Sequence, residues 1–298
     1  MPGLTSKLSF NFIAKKFLPE LMENDNQEIE AYTKLTYSTP EDPLLNSFFI
    51  QSLEYLTGRL PLETRFNEVV NANKVPHKVW EELINACELK LEFNQSQLAK
   101  VPQNKPVIFI ANHPFGVVDG MIMAYLVAQK YSNFKFLVNG VLCTDKLLNN
   151  FFLPIDFGTT KKAMYTNIST RNIAIEKIKS GEPIVVFPSG GVATAPKFWK
   201  KAEDLEWKRF VVKLINKAEA TVIPIYFHGQ NSRLFQIVSQ FSQDLRLALL
   251  LNEVRNKMNK TIKIEIGNPI PFNEMSSQSD NKGLLDYLYN KVFSMGKT

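Results

Sequence analysis

Of the three histidines in the chain, His77, His113 and His228, one sits where chemistry is expected. Residues 107–111 are apolar and rich in β-branched side chains, as a strand buried on both faces is. They run into Asn112-His113-Pro114-Phe115-Gly116, and a helical pattern begins near Val118. Open α/β sheets place ligands beyond the carboxyl ends of such strands. Asp119 follows His113 by six residues. An imidazole can take a proton from a hydroxyl at neutral pH, and a carboxylate at its other nitrogen fixes the tautomer and stabilises the resulting imidazolium. On one regular helix, six residues turn through ~240° at about 3.6 residues per turn, and the two side chains would not meet. With His113 in the turn and Asp119 in the first helical turn after Gly116, the loop can fold back and join them. The bland alternative is an Asp119 that serves the free amides of the helix start and a His113 that is simply a hydrogen-bonded side chain.

Other chemistries find less support. The histidines are widely separated and no HExxH pattern occurs, so no metal is expected. Cys87 and Cys143 form no CxxC pair, which fits a reducing compartment. The run Val186-Phe187-Pro188-Ser189-Gly190-Gly191 follows a buried strand but lacks a GxSxG elbow, so Ser189 is a weak nucleophile candidate. Its paired glycines permit a tight turn and close approach of a ligand. Amides there could face a phosphate or a developing oxyanion, or merely close a β–α turn. With 35 basic and 29 acidic residues the formal charge is +6. That suits a surface facing anionic lipid or phosphate; the dispersed basic residues argue against a nucleic-acid partner.

The elements that must position these groups read as one α/β domain. A chain of 298 residues can bury a substantial core without disulfide or metal staples. Short β-branched runs at 107–111, 134–138, 184–187, 221–227 and 261–266, with a weaker one at 151–155, alternate with helical patterns at 118–130, 161–179, 205–218, 240–258 and 282–293. This alternation predicts a central, mostly parallel sheet flanked by helices. Pro224 lies inside one run and marks an edge, a bulge or an interruption. Residues 1–100 are punctuated by Pro40, Pro43, Pro61 and Pro76, with a charged helical pattern at 79–98. They are expected to form an N-terminal helical extension, and residues 101–298 the α/β domain. The apolar stretch 44–56 and the aromatic residues Phe10, Phe12 and Phe17, edged by Lys7, Lys15 and Lys16, read either as core or as a membrane dock. No stretch is long and apolar enough to span a bilayer, and no signal peptide is expected.

The segment Asn112-His113-Pro114-Phe115-Gly116 with Asp119-Gly120 resembles the first motif of the glycerolipid/lysophospholipid acyltransferase superfamily. Its five-residue interval between His and Asp, against the usual four, is similar to that of a bacterial branch labelled hemolysin, which includes acyltransferases completing ornithine- and glycine-type aminolipids. Three further blocks, within residues 106–271, carry the resemblance. Leu153-Pro154-Ile155-Asp156-Phe157-Gly158 has Phe157 where the wider family commonly has an acceptor-phosphate arginine. Phe187-Pro188-Ser189-Gly190-Gly191 resembles the Phe-Pro-x-Gly turn, with Gly191 where glutamate is frequent. Val222-Ile223-Pro224-Ile225-Tyr226-Phe227 precedes a Gly229, Asn231, Ser232, Arg233 series like that of the narrower branch.

The resemblance implies transfer of a fatty acyl group from acyl carrier protein or coenzyme A to a lysolipid hydroxyl, with no resident cofactor and no covalent intermediate. His113 would be the general base and Asp119 its orienting acid. Asn112, Asp156, Lys161, Lys162, Phe187, Pro188, Ser189, Gly190, Gly191 and Arg233 would shape the substrate site. Lys161, Lys162 and Arg171 could equally be solvated helix-face residues, and Arg233 could equally bridge to the fold. A lysolipid acceptor implies a peripheral protein on the cytoplasmic face of the inner membrane, against an anionic surface. A noncatalytic lipid-binding protein of the same fold, or an acyl-thioester hydrolase, are the alternatives.

Overall fold

A computed structural model describes residues 59–297 except 73–74, 140–145, 157–159, 198, 277 and 279. The expectations for residues 10–18 and 44–56, and for Phe157, lie outside the described residues. Seven strands are described: β1 (Lys90–Glu92), β2 (Val107–Ala111), β3 (Lys135–Asn139), β4 (Phe152–Ile155), β5 (Ile184–Val186), β6 (Thr221–Phe227) and β7 (Thr261–Ile266). They form one sheet in the order β1-β7-β6-β2-β5-β3-β4. The β6–β7 ladder is antiparallel and the other named ladders are parallel.

Strand β2 is buried along its whole length between β5 and β6. Because side chains alternate along a strand, Val107, Phe109 and Ala111 enter one core and Ile108 and Ile110 the other. The first core is closed by α2 (Val79–Ala86) and α4 (Val117–Ala128), and the second by α6 (Lys161–Lys179), α7 (Phe210–Ala218) and α11 (Asn281–Met295). The two helical layers thus fix β2 from both faces, and its carboxyl end carries Asn112 and His113. The remaining described helices are α1 (Arg59–Ala72), α3 (Gln95–Ala99), α5 (Lys146–Asn149), α8 (Arg233–Val238), α9 (Gln243–Lys257) and α10 (Phe272–Met275), with a 3-10 turn at Pro76–Lys78. Among the described residues, no helix is long and apolar enough to cross a membrane.

Several helical boundaries differ from the sequence expectation, and the structure chooses among the options for Pro224. The helical pattern at 79–98 breaks after Ala86, and residues 90–92 join the sheet as β1 beside β7. Glu88 turns the chain with φ 51°, its backbone carbonyl accepts from the Asn259 amide, and its carboxylate meets Arg65 at 3.0 Å. A distant segment therefore recruits residues whose local pattern reads as helix. The pattern at 240–258 starts only at Gln243, where the Ser242 side chain accepts from the Leu245 amide as a new cap. Pro224 lies in an interior strand, so the edge option fails. Ile225 pairs Ile266 whereas Val222 bridges Ile270, so one extra residue bulges from the facing chain around Gly267. The missing proline N–H falls opposite this bulge, and the Pro224 carbonyl accepts from Gly267 N at 2.9 Å.

Candidate active site

At the end of β2 the Asn112 side chain continues the ladder that the backbone leaves. Its Nδ2 donates to the Phe227 carbonyl at 2.9 Å, and its Oδ1 accepts from the Phe227 amide at 2.7 Å. The side-chain amide thus replaces one peptide unit and holds the ends of β2 and β6 together, buried. Asn112 was expected at the substrate, but both its polar atoms are committed to the scaffold that starts the His113 turn.

Gly116 caps α4 with φ 85°, a region that L side chains rarely occupy, and a β-carbon there would sit 2.8 Å from Leu250 Cδ2. That turn places Asp119 in the first turn of α4. The fold-back required by the spacing occurs: His113 Nδ1 lies 3.0 Å from Asp119 Oδ1, with the carboxylate side chain fully buried and the imidazole 16% exposed. Asp119 Oδ2 accepts from the Phe115 amide at 2.8 Å, which fixes the carboxylate rotamer. The contact is close but off the line of the ring N–H, so neither Nδ1 nor Oδ1 has a well-directed partner. Catalytic hydrogen bonds commonly tighten only when substrate is bound. The Phe187 ring stacks on the imidazole, with centroids 4.1 Å apart and planes 18° apart. Its negative face suits an imidazolium as well as a neutral ring.

The backbone of His113 is held from a different segment. Its carbonyl accepts from Ala193 N at 2.7 Å, and its amide donates to Asp204 Oδ1 at 3.0 Å. Asp204 Oδ2 accepts from the Trp207 indole at 3.0 Å. Burial raises the Asp204 carboxyl above its ordinary pKa, opposed by these two hydrogen bonds and by His113. Sequence reasoning missed Asp204. It stands just ahead of the helical pattern at 205–218, where an aspartate reads as a cap. The helix instead starts at Phe210, because Trp207 is buried against Tyr289 and Phe293 and Lys208 N donates to the Pro188 carbonyl at 2.8 Å. No local signal distinguishes that aspartate from a cap.

The other expected residues divide. Phe187 and Pro188 reach the histidine and its supporting segment. Ser189 is buried and donates its hydroxyl to the Gly191 carbonyl at 2.9 Å, bracing the turn. Gly190 has φ 68° and its amide closes the turn onto the Phe187 carbonyl at 2.9 Å. The Gly191 amide donates to no group among the described residues. Asp156 ends near β4, three strands from β2 and hence ~14 Å away across the sheet. Its backbone is clasped by Asn167, and Lys161 is an exposed first residue of α6. Neither meets His113, and the Lys162 side chain lies outside the described residues. Arg233 Nη1 donates to the Lys200 carbonyl at 3.0 Å, a bond to the fold.

Residues 65–297 match the acyltransferase family. The chain belongs to that family. This acyltransferase is 27% identical over 208 residues to the lyso-glycine lipid O-acyltransferase of Phocaeicola vulgatus, covering 66% of this chain and 71% of the relative. It is 24% identical over 233 residues to the enzyme of the same name from Bacteroides thetaiotaomicron, covering 75% and 83%. Among solved structures it is similar to the 1-acyl-sn-glycerophosphate acyltransferase of Thermotoga maritima, with 15% identity and a TM-score of 0.48 over 84% of this chain and 94% of that one.

Proposed function

We propose that this acyltransferase moves a fatty acyl group from a thioester, carried on acyl carrier protein or coenzyme A, to the hydroxyl of a lyso-aminolipid. The observation that carries the reading is the contact of His113 with the buried Asp119 at 3.0 Å in a chain of this family. The names of the two relatives make lyso-glycine lipid the first acceptor to test.

In this reading Asp119 holds Nδ1 protonated, which leaves Nε2 as the base. Nε2 takes the acceptor hydroxyl proton as the oxygen attacks the thioester carbonyl. The Gly191 amide is a candidate donor to the oxyanion. Collapse of the tetrahedral intermediate breaks the C–S bond, and the imidazolium returns its proton to the departing sulfur. Transfer is direct, since the one serine of the turn is buried and bonded within it. The thioester supplies the activation, so the reading needs no resident cofactor. An acceptor in a bilayer and a carrier in water imply a peripheral enzyme at the cytoplasmic face of the inner membrane.

The test incubates the full chain with isotopically labelled acyl-carrier protein or acyl-CoA and a panel of lyso-glycine, lyso-ornithine and lysophosphatidate acceptors, with products scored by mass spectrometry. Labelled diacylated lipid supports the reading. Free fatty acid alone replaces it with thioester hydrolysis, and no product from folded protein replaces it with lipid binding. His113→Ala is expected to lower turnover by about 10³-fold or more.

A further inference from the structure

Large apolar side chains scattered singly over a surface need no explanation, but several on one edge do. Helix α8 presents such an edge. Its Arg233 and Gln236, with Gln240 in the following turn, hydrogen-bond the chain segment 195–202: Arg233 to the Lys200 carbonyl, Gln236 Oε1 to the Ala195 amide and Gln240 to the Ala195 carbonyl. The adjacent stripe at the same i, i+3, i+7 spacing, Leu234, Ile237 and Phe241, is 52%, 40% and 84% exposed. Across the segment that α8 grips lies Trp199, 59% exposed. Lys197 stands over its ring, with Nζ 5.4 Å from the centroid.

Charge complements this apolar edge. Residues 195–202 carry Lys197, Lys200 and Lys201 and no acid, and all three lysines are exposed. Exposed leucine, isoleucine, phenylalanine and tryptophan bordered by lysines match the boundary between acyl chains and anionic headgroups. The chain leading into this segment holds the His113 turn: Ala193, two residues before the Gln236 contact, donates its amide to the His113 carbonyl at 2.7 Å.

We propose that Leu234, Ile237, Phe241 and Trp199 form a membrane-docking surface that seats the His113 site on an anionic phospholipid bilayer. The reason such a seat is needed rests on the proposed lipid-acceptor reaction; the surface itself rests on exposure, helical spacing and charge. Docking here would bring the chain that holds the partly exposed His113 imidazole to headgroup depth, where a lysolipid hydroxyl resides.

Trp199 supplies its own readout, because Trp80 and Trp207 are buried. Full-length protein is mixed with vesicles of phosphatidylcholine containing about 30% phosphatidylglycerol, with or without brominated acyl chains. Brominated vesicles are expected to quench tryptophan emission, and Trp199→Phe is expected to remove most of that quenching. Leu234→Ser/Ile237→Ser/Phe241→Ser is expected to weaken the Trp199 signal about tenfold in lipid titration. Lys197→Gln/Lys200→Gln/Lys201→Gln is expected to abolish the preference for anionic over neutral vesicles. The triple serine variant should also lose turnover on bilayer-embedded acceptor while keeping it on a monomeric short-chain acceptor. Vesicle-bound wild type with unquenched Trp199, or no vesicle binding at all, overturns the surface, as does capture of a protein partner on this face without lipid contact. Quenching does not require turnover, so an inactive protein with quenched Trp199 refutes the proposed reaction and leaves the surface standing.

Discussion

Replacing Asp119 by asparagine keeps size and shape but not the hydrogen-bond parity of the site. In the wild type both carboxylate oxygens face donors, Oδ1 towards His113 Nδ1 and Oδ2 towards the Phe115 amide. An amide has one oxygen to offer. If it stays with Phe115, the NH2 group faces Nδ1 and drives the ring to its Nε2–H tautomer, which has no base where the hydroxyl must bind. If the amide flips, its NH2 group opposes the Phe115 N–H in a fully buried position, at a cost of about 1–3 kcal/mol. The competent orientation is then populated at roughly 1–15%. The imidazolium also loses a full charge 3.0 Å away, a Coulomb term of about 5 kcal/mol at an effective dielectric near 20, of which only part is expressed in a side chain still 16% exposed. Together these place the fall in kcat near 10³–10⁴, or ~4–5.5 kcal/mol in the barrier. The loss of folding stability should stay near ~1–3 kcal/mol, since one buried donor is left poorly paired. Initial rates of labelled diacyl lipid formation, with a thermal melt on the same samples, measure both quantities. A folded Asp119→Asn enzyme within tenfold of wild type would refute the argument from tautomer and charge.

Three further outcomes follow from the same geometry. For Asp204, burial raises the folded-state pKa, so the folded protein binds more protons than the unfolded chain just above the ordinary carboxylate range. Wild-type stability should therefore fall as pH rises through that window relative to Asp204→Asn, in melts across about pH 4–7, and kcat of the variant should drop because His113 N or the Trp207 indole loses its acceptor. Gly116→Ala forces a β-carbon into Leu250 at φ 85° and should cost about 2 kcal/mol or more in chemical denaturation, with activity falling as the Asp119 turn shifts. Burial lifts the Cys87 thiol to about 11, so iodoacetamide at pH 8 should leave it unmodified in peptide maps of native protein and alkylate it after unfolding.

Much of the sheet could be read from local pattern because its strands answer to burial alone. Runs such as Val107–Ala111, Thr221–Phe227 and Thr261–Ile266 are apolar or alternate, and the structure keeps those boundaries. Lys90–Glu92 could not be found this way. Its place depends on the open edge of β7 and on a turn at Glu88 held by Asn259, over 160 residues away in the chain. The same division runs through the site. His113, Asp119 and Phe187 belong to short segments at strand ends, whereas Asp204 lies in a stretch whose helical pattern is overridden by burial of Trp207.

By itself the sequence determined the alternation of strands and helices, the placement of a histidine at the mouth of a buried strand, and the requirement that a turn bring Asp119 back to it. These follow from residue type, hydrophobic period and helical rotation, which act over a few neighbours. Only the tertiary structure decided that Asn112 ties β2 to β6, that Asp204 and Ala193 hold the backbone of the histidine, and that Arg233, Gln236 and Gln240 grip the segment that follows Ala193. Each of these is a contact between residues 80 to 120 positions apart, except the last, at about 30 to 45. Such contacts are selected by which buried donors and acceptors remain unpaired after the local elements form.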